Sequence, residues 1–419
     1  MMRFFYTLAL HVLLPGAFLH LVWRARKQPE YLRHWAERFG FYRSPPAGPL
    51  IWIHAVSVGE TRAAQPLISA LQERYPAARI LLTSMTPTGR ATAEALFGNR
   101  VERAYLPYDL PWAVRSFLTH FRPQIGLVME TELWPNLVAA CQADRIPLLL
   151  VNARLSEKSA RRYARFARLS RETLRGLSAL AAQSEADARR LKALGARSVE
   201  VFGNLKFDVT PPEHREDFRR RIGARQVFLC ASTREGEEAL ILDEWLKLGA
   251  GETARLPLLV IVPRHPQRFN EVARQIEARG LNYQRRSDER PLAPTTQVWL
   301  GDSMGEMFAY YAAADVAFIG GSLLDFGAQN LIEACALGVP VLIGPSTFNF
   351  ADAARNAIAS GAARPIADAR ELVSAARALL DDAALRASMG NAGRAFAAAH
   401  RGATARTLAL IERYMPVPA

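Results

Sequence analysis

Short apolar runs recur along the chain from Leu50 onward, at 50–54, 79–83, 101–106, 124–129, 147–152, 179–183 and 199–203. Helical stretches fall between several of them, the signature of an α/β fold. The pattern breaks at 209–225, where two prolines and a run of charges interrupt it. It then restarts at 227–231, 258–262, 297–300, 316–319 and 340–343, and an Ala-rich stretch, 353–400, reads as ordinary helices. The expected organisation is therefore an N-terminal segment (1–27), a Rossmann-like domain (28–208), a linker (209–225) and a second Rossmann-like domain (226–419). The last helix is free to pack back on the first domain. Two such halves predict a ligand-bearing cleft between them.

The first segment follows a different rule. Phe4 to Trp23 is mostly apolar and near the length of about 20 residues that a bilayer requires, although His11, Pro15 and His20 interrupt it. No small-residue cleavage site follows. Arg24, Arg26 and Lys27 outweigh Arg3, which leaves the bulk of the chain on the cytoplasmic side. Trp23, Tyr31, Trp35, Phe39 and Tyr42 interleave with Arg33, Arg38 and Arg43, a composition suited to lipid headgroups. The segment reads as a membrane anchor, spanning or lying flat; the competing reading is a helix packed on the first domain.

Charge narrows the partner class. Across 419 residues, half of them hydrophobic, the net charge is +13, which calls for an acidic partner such as nucleic acid, a membrane surface or a phosphorylated substrate. The three cysteines, Cys141, Cys230 and Cys335, form no C-x-x-C or metal spacing, as expected of a reducing compartment.

Chemistry-bearing residues fall at the ends of the apolar runs, where open α/β sheets place ligands. After 50–54 come Ser57, Gly59 and Glu60, at the start of a helix expected over 61–74. Glu60 has two readings: a carboxylate stabilising the first turn of that helix, or a group that takes a proton. Thr86-Pro87-Thr88-Gly89 offers hydroxyl and backbone donors, Glu130 and Glu132 follow 124–129 beside Trp134, and Arg154 follows 147–152. A helix expected over 154–175 carries eight basic residues, among them Arg161 and Arg165, against two acids. Tyr163, Phe166, Leu169, Leu174 and Leu177 would face inward. Such a one-sign face suits a phosphorylated acceptor or a membrane surface better than plain solvent.

The second half shows ligand-type corners in series. Ser232-Thr233-Arg234 places two hydroxyls and a guanidinium where a helix begins. Pro263-Arg264-His265-Pro266 and Asp302-Ser303-Met304-Gly305-Glu306 leave two further strands, and Gly327-Ala328-Gln329-Asn330 leads to Glu333. Glycines there let a phosphate approach, and a carboxylate can take a ribose diol. Together these corners indicate a nucleotide site. No Walker motif or metal box is present, which disfavours a kinase or ATPase.

Taken together, these motifs resemble the Kdo (3-deoxy-D-manno-octulosonic acid) transferases of bacterial lipopolysaccharide synthesis. The matching elements are S-V-G-E (57–60), T-P-T-G, P-Y-D (107–109), M-E-T-E-L-W-P-N (129–136), N-A-R-L-S, K-F-D (206–208), S-T-R-E-G-E-E (232–238), P-R-H-P-x-R, G-D-x-M-G-E and G-P-x-T-F-N-F (344–350). They run in the same order over nearly the whole chain. The resemblance implies the GT-B glycosyltransferase fold, two Rossmann-like domains facing a central cleft, with CMP-Kdo as donor and lipid IVA, a phosphorylated lipid A precursor, as acceptor. It further implies the cytoplasmic face of the cell inner membrane, no metal and no cofactor. Glu60 would be the catalytic base. Ser57, Gly59, Thr88, Glu130, Glu132, Arg154, Arg161 and Arg165 would lie on the acceptor side. Ser232, Thr233, Arg234, Pro263, Arg264, His265 and Asn330 would hold the CMP phosphate region, Met304, Gly305 and Glu306 the nucleoside, Glu333 the ribose and Lys206 the sugar carboxylate. The glycine turn that often reads G-G-H-N or G-G-Q-N in that family is Gly327-Ala328-Gln329-Asn330 here: Ala328 narrows it, and Gln329 leaves no histidine to act there. The alternatives carried beside this reading are a GT-B transferase or epimerase using a UDP-sugar, and a basic membrane- or nucleic-acid-binding protein.

Overall fold

Strand β1 (Leu50–His54) is buried along its whole length. Leu50 and Trp52 enter one hydrophobic core and Ile51 and Ile53 another, as the two-residue period of a strand requires. A computed structural model of the chain describes residues 2–26, 28–43, 48–208, 217–249 and 257–415. It divides into two units, Met1–Val209 with Arg401–Ala419, and Thr210–His400.

In the first unit β1 is joined by β2 (Arg79–Ser84), β3 (Glu102–Tyr105), β4 (Ile125–Met129), β5 (Leu148–Ala153), β6 (Ala179–Ala182) and β7 (Glu200–Val201). The sheet order is β3-β2-β1-β4-β5-β6-β7, with every pair parallel. The order reverses between β1 and β4, so their carboxyl ends open the crevice in which such sheets bind ligands.

The second unit repeats the plan with β8 (Val227–Thr233), β9 (Leu258–Pro263), β10 (Tyr283–Arg285), β11 (Val298–Leu300), β12 (Val316–Ile319), β13 (Val341–Ile343) and β14 (Ala363–Pro365). Here the order is β10-β11-β9-β8-β12-β13-β14, again parallel, and the reversal lies between β8 and β12. Sequence pattern missed β10 and β14. Both are edge strands of three residues whose side chains are largely half-buried or exposed, so neither carries an apolar run.

Two stretches fold differently from their sequence reading. The expected helix at 61–74 is two helices, Val58–Ala63 and Gln65–Arg74, the second opening with Pro66 in its first turn. The expected basic helix at 154–175 is also two, Glu157–Ala164 and Ala167–Gly176. At the break Arg165 and Phe166 close tight turns onto Arg162 and Tyr163, and the Ser170 hydroxyl donates to the Tyr163 carbonyl at 2.9 Å. Phe166 is consequently 57% exposed instead of facing inward.

Within the region read as linker, residues 209–216 lie outside the described residues. Phe218–Ile222 is helical, with Phe218 buried edge-on against Trp299 and beside Tyr310. The final helix, Ala403–Glu412, belongs to the first unit, where Leu410 and Ile411 share a core with Leu67 and Leu71. The Asp208 carboxylate accepts from the backbone N–H of Gly402 (2.7 Å) and Thr404 (2.6 Å), pinning that returning segment at its entry.

Candidate active site

At the crevice of the first unit, Ser57 caps the helix Val58–Ala63, accepting from the Glu60 N–H. The Glu60 carboxylate turns back over the cap. Its Oε2 accepts from the Val56 N–H at 2.8 Å, and its Oε1 from the Ser57 hydroxyl at 3.0 Å. The carboxylate reaches one residue past the cap, to Val56 and not to the Ser57 N–H of a capping box, and so Glu60 does stabilise its own first turn. The same geometry leaves chemistry open, because two of about four lone-pair directions remain unused. Burial pushes the carboxyl up to about 7, helped by the nearby Glu130 charge and opposed by the Val56 and Ser57 donors. A base poised near neutral pH is the condition for efficient proton abstraction.

Thr86 Oγ1 takes the Gly89 N–H at 3.1 Å and donates to the Val56 carbonyl, so the T-P-T-G helix start abuts the Glu60 corner, with Thr88 and Gly59 exposed beside it. Below, His54 is fully buried and bonded through Nδ1 to Thr83 Oγ1 at 2.9 Å. Burial pushes it down to about 3, which keeps it neutral.

Across the reversal, Glu130 follows β4 in the left-handed region (φ 54°), and its Oε1 lies 3.7 Å from Lys206 Nζ. Lys206, assigned by resemblance to the donor sugar, thus sits beside Glu130, assigned by resemblance to the acceptor. Burial also pushes Glu132 up to about 7, against the pull of the Trp134 N–H. Arg154 is half-buried at the end of β5, whereas Arg161 and Arg165 are exposed on the arm formed by the two basic helices and make no ion pair with these acids. Because Glu130 raises the Glu60 pKa, Glu130→Gln lowers it. The midpoint of the Glu60 carboxyl in this variant therefore moves to lower pH, which an NMR titration checks.

In the second unit the corners after β8, β9 and β12 converge. The Thr233 carbonyl accepts from the Arg264 N–H at 2.9 Å, and Arg264 Nε donates to Gln329 Oε1 at 3.3 Å. A Cβ on Gly321 would touch both Gln329 and Arg234, at 3.3 and 3.4 Å. Arg234, Arg264 and Gln329 therefore ring one glycine turn. Ala328 adopts φ 63°, a left-handed conformation that costs a non-glycine residue about 1–2 kcal/mol. Burial, with Arg234 and Arg264 adjacent, holds His265 below the ordinary imidazole range. Asn330 Nδ2 donates to Glu333 Oε1 at 2.9 Å, and the Ser232 hydroxyl lies 3.9 Å from Met307. Met304 and Gly305 are exposed, and Glu306 is held by Arg286 at 2.8 Å.

Sequence reasoning missed the supports. Fully buried Glu237 accepts from the N–H groups of Arg234, Gly321 and Leu323 at 2.7–3.0 Å, tying the β8 corner to the β12 corner. Buried Glu238 accepts from Thr233 Oγ1 (2.8 Å) and Arg268 (2.6 Å). Two acids in the first turn of a helix read as dipole partners; nothing in the sequence marks them as buried. The left-handed Glu130, Asn152, Ser232 and Ala328 all lie at carboxyl edges of strands, where backbone strain concentrates at binding sites.

Residues 33–209 match the family described as 3-deoxy-D-manno-octulosonic-acid transferase (kdotransferase), and residues 278–396 match glycosyl transferases group 1. The 3-deoxy-D-manno-octulosonic acid transferase of Bordetella pertussis is 47% identical, over 98% of this chain and 99% of its own. The chain belongs to the Kdo transferase family. The Haemophilus influenzae transferase of the same name is 38% identical over 99% of both chains. Among solved structures, a putative UDP-N-acetylglucosamine 2-epimerase from Listeria monocytogenes aligns with a TM-score of 0.61 at 17% identity, covering 89% of this chain and 99% of its own. The UDP-GlcNAc 2-epimerase of Neisseria meningitidis aligns at 0.59 and 16%, covering 87% and 100%. At such identities these two share the fold alone, GT-B. As a Kdo transferase the chain is a glycosyltransferase, and the two sheet crevices are where its chemistry has to be sought.

Proposed function

We propose that this Kdo transferase moves Kdo from CMP-Kdo to lipid IVA at the cytoplasmic face of the inner membrane, with inversion at the anomeric carbon and Glu60 as general base. The observation that carries this reading is a carboxyl poised near pH 7 at the reversal point of the first sheet, in a chain of this family. Glu60 takes the proton of the acceptor hydroxyl as the C–O bond forms. The anomeric carbon is ketosidic with a deoxy neighbour, so positive charge develops there readily.

CMP leaves as a monophosphate. Arg234, Arg264, Asn330 and backbone amides at the Ser232-Thr233 corner meet its charge without calling on a metal or cofactor. Pro263 and His265 frame Arg264, Met304, Gly305 and Glu306 line the nucleoside, and Glu333 takes the ribose. Ser57, Gly59, Thr88, Glu130, Glu132, Arg154, Arg161 and Arg165 serve the phosphorylated acceptor, and Lys206 meets the donor carboxylate.

The test is a transfer assay with a tetra-acylated, bisphosphorylated disaccharide lipid and CMP-Kdo generated in place, read by mass spectrometry. Product masses raised by Kdo units are expected, with CMP inhibiting more strongly than UMP. No product from protein that still binds CMP removes the acceptor assignment; absence of CMP binding removes the donor assignment.

A further inference from the structure

The helix Met2–Ala25 is long and apolar enough to cross a bilayer by length and composition. Its 24 residues at 1.5 Å rise give roughly 36 Å, against a hydrocarbon core of about 30 Å. Its packing points elsewhere. The residues withdrawn from solvent include Tyr6, Leu10, Leu14, Ala17, Leu21 and Ala25, spaced four, four, three, four and four apart. That spacing is one helix face turned toward the first unit from end to end.

Near the N-terminal end the Tyr6 hydroxyl donates to Asp109 and the Thr7 hydroxyl to Asn136, each at 3.0 Å. Asp109 is buried and is itself fixed by the N–H groups of Asn136 (2.9 Å) and Leu137 (2.8 Å). Toward the other end Phe18 packs edge-on against Trp35 and Phe39, at 5.9 and 6.4 Å between ring centroids, and Leu21 and Ala25 cluster with Tyr31. The opposite face, including Phe5, Leu8, Val12, Leu19 and Trp23, is exposed, reaching 72% at Val12.

We propose that this helix lies in the plane of the membrane interface, sunk into one leaflet of anionic phospholipid, and that the chain is monotopic. A helix held at both ends by one folded unit cannot carry its N-terminus across the bilayer while those contacts persist, and a polar α/β unit cannot follow it into hydrocarbon. Crossing would strip the whole inner stripe and both tethering hydrogen bonds. The charges suit an anionic leaflet. Arg24 and Arg26 are exposed at the C-terminal end, and the helix Ala167–Gly176, which packs on Met2–Ala25, leads back to exposed Phe166 among exposed Arg161, Arg162 and Arg165. These three arginines make no ion pair among the described residues. The inference rests on the membrane association proposed above, and its test separates the two.

All three native cysteines are free and buried, so Met2→Cys provides an accessible thiol on little background. The full-length variant is treated with a membrane-impermeant maleimide in intact spheroplasts and in inverted inner-membrane vesicles. Labelling in the inverted vesicles alone is expected. Labelling in spheroplasts means the helix spans, and overturns the proposal. A thiol reached from neither side, yet reactive in detergent, puts the end inside the hydrocarbon and overturns it too. Protein that does not float with phosphatidylglycerol–phosphatidylethanolamine vesicles removes the anchor altogether. Leu8→Asp with Val12→Asp should lower vesicle partitioning at least roughly tenfold with an unchanged melting temperature. Unchanged partitioning would mean that the exposed face does not touch lipid.

Discussion

Glu60→Gln loses roughly 10²- to 10⁴-fold in kcat, the range a general base supplies, while CMP binding stays at the wild-type level. Glutamine fits the cap: its Oε1 can accept from the Val56 N–H, and its Nε2 can donate to the Ser57 hydroxyl oxygen. Stability moves the other way. The Glu60 carboxyl titrates near 7 in the folded chain, above its ordinary 4.5. The native state therefore binds this proton more tightly than the unfolded one. The contribution to stability grows as pH falls from about 7 toward 4.5, and is a penalty above 7. Removing the charge relieves that penalty, so the melting temperature at pH 8 is equal to or higher than wild type. Single-turnover transfer, CMP titration and a melt at pH 8 check the three parts. Near-normal turnover removes Glu60 as the base; a lowered melting temperature would trace the lost activity to the fold.

Arg268→Ala has the largest expected effect on stability. Arg268 and Glu238 are both buried and joined at 2.6 Å. Without the guanidinium, Glu238 keeps the Thr233 hydroxyl as a partner but no opposing charge. Removing one partner of such a pair costs about 3–5 kcal/mol. For a unit of this size the melting temperature then falls by on the order of 10 °C. Because Thr233 also holds Arg264 through its carbonyl, CMP affinity falls as well. Glu271→Ala, which removes the half-exposed second partner of Arg268, is nearly neutral by comparison. Thermal melts of the two variants separate the cases, and equal midpoints would mean that the buried pair contributes nothing.

The parts of the fold legible in the sequence were those with an apolar signature. Leu50–His54, Leu258–Pro263 and Val316–Ile319 are buried throughout, and each announces itself as an uninterrupted run. Tyr283–Arg285 and Ala363–Pro365 do not, because an edge strand gains its place from backbone pairing, which leaves no mark on side-chain pattern. The corners after β1, β4, β8 and β9 were visible because polar residues follow an apolar run where the strand's burial ends. What stayed hidden depends on tertiary neighbours: Glu237 and Glu238 reading as surface acids, Arg286 behind Glu306, and Lys206 lying with Glu130. Phe166 failed for a local reason, since it lies in the helix break itself, whereas Leu174 and Leu177 beyond it are buried as expected.

The Asp208 pin has a topological consequence. The second unit is an uninterrupted segment inserted into the first, and the chain leaves for it just after Asp208 and returns just before Gly402, two residues that hydrogen-bond to each other. A short bridge from 208 to 402 would close the first unit into a continuous chain, and the excised segment would keep both of its sheet's edges. The architecture is modular in the genetic sense: the inserted segment can be exchanged at a single doorway without rethreading the half that carries Glu60.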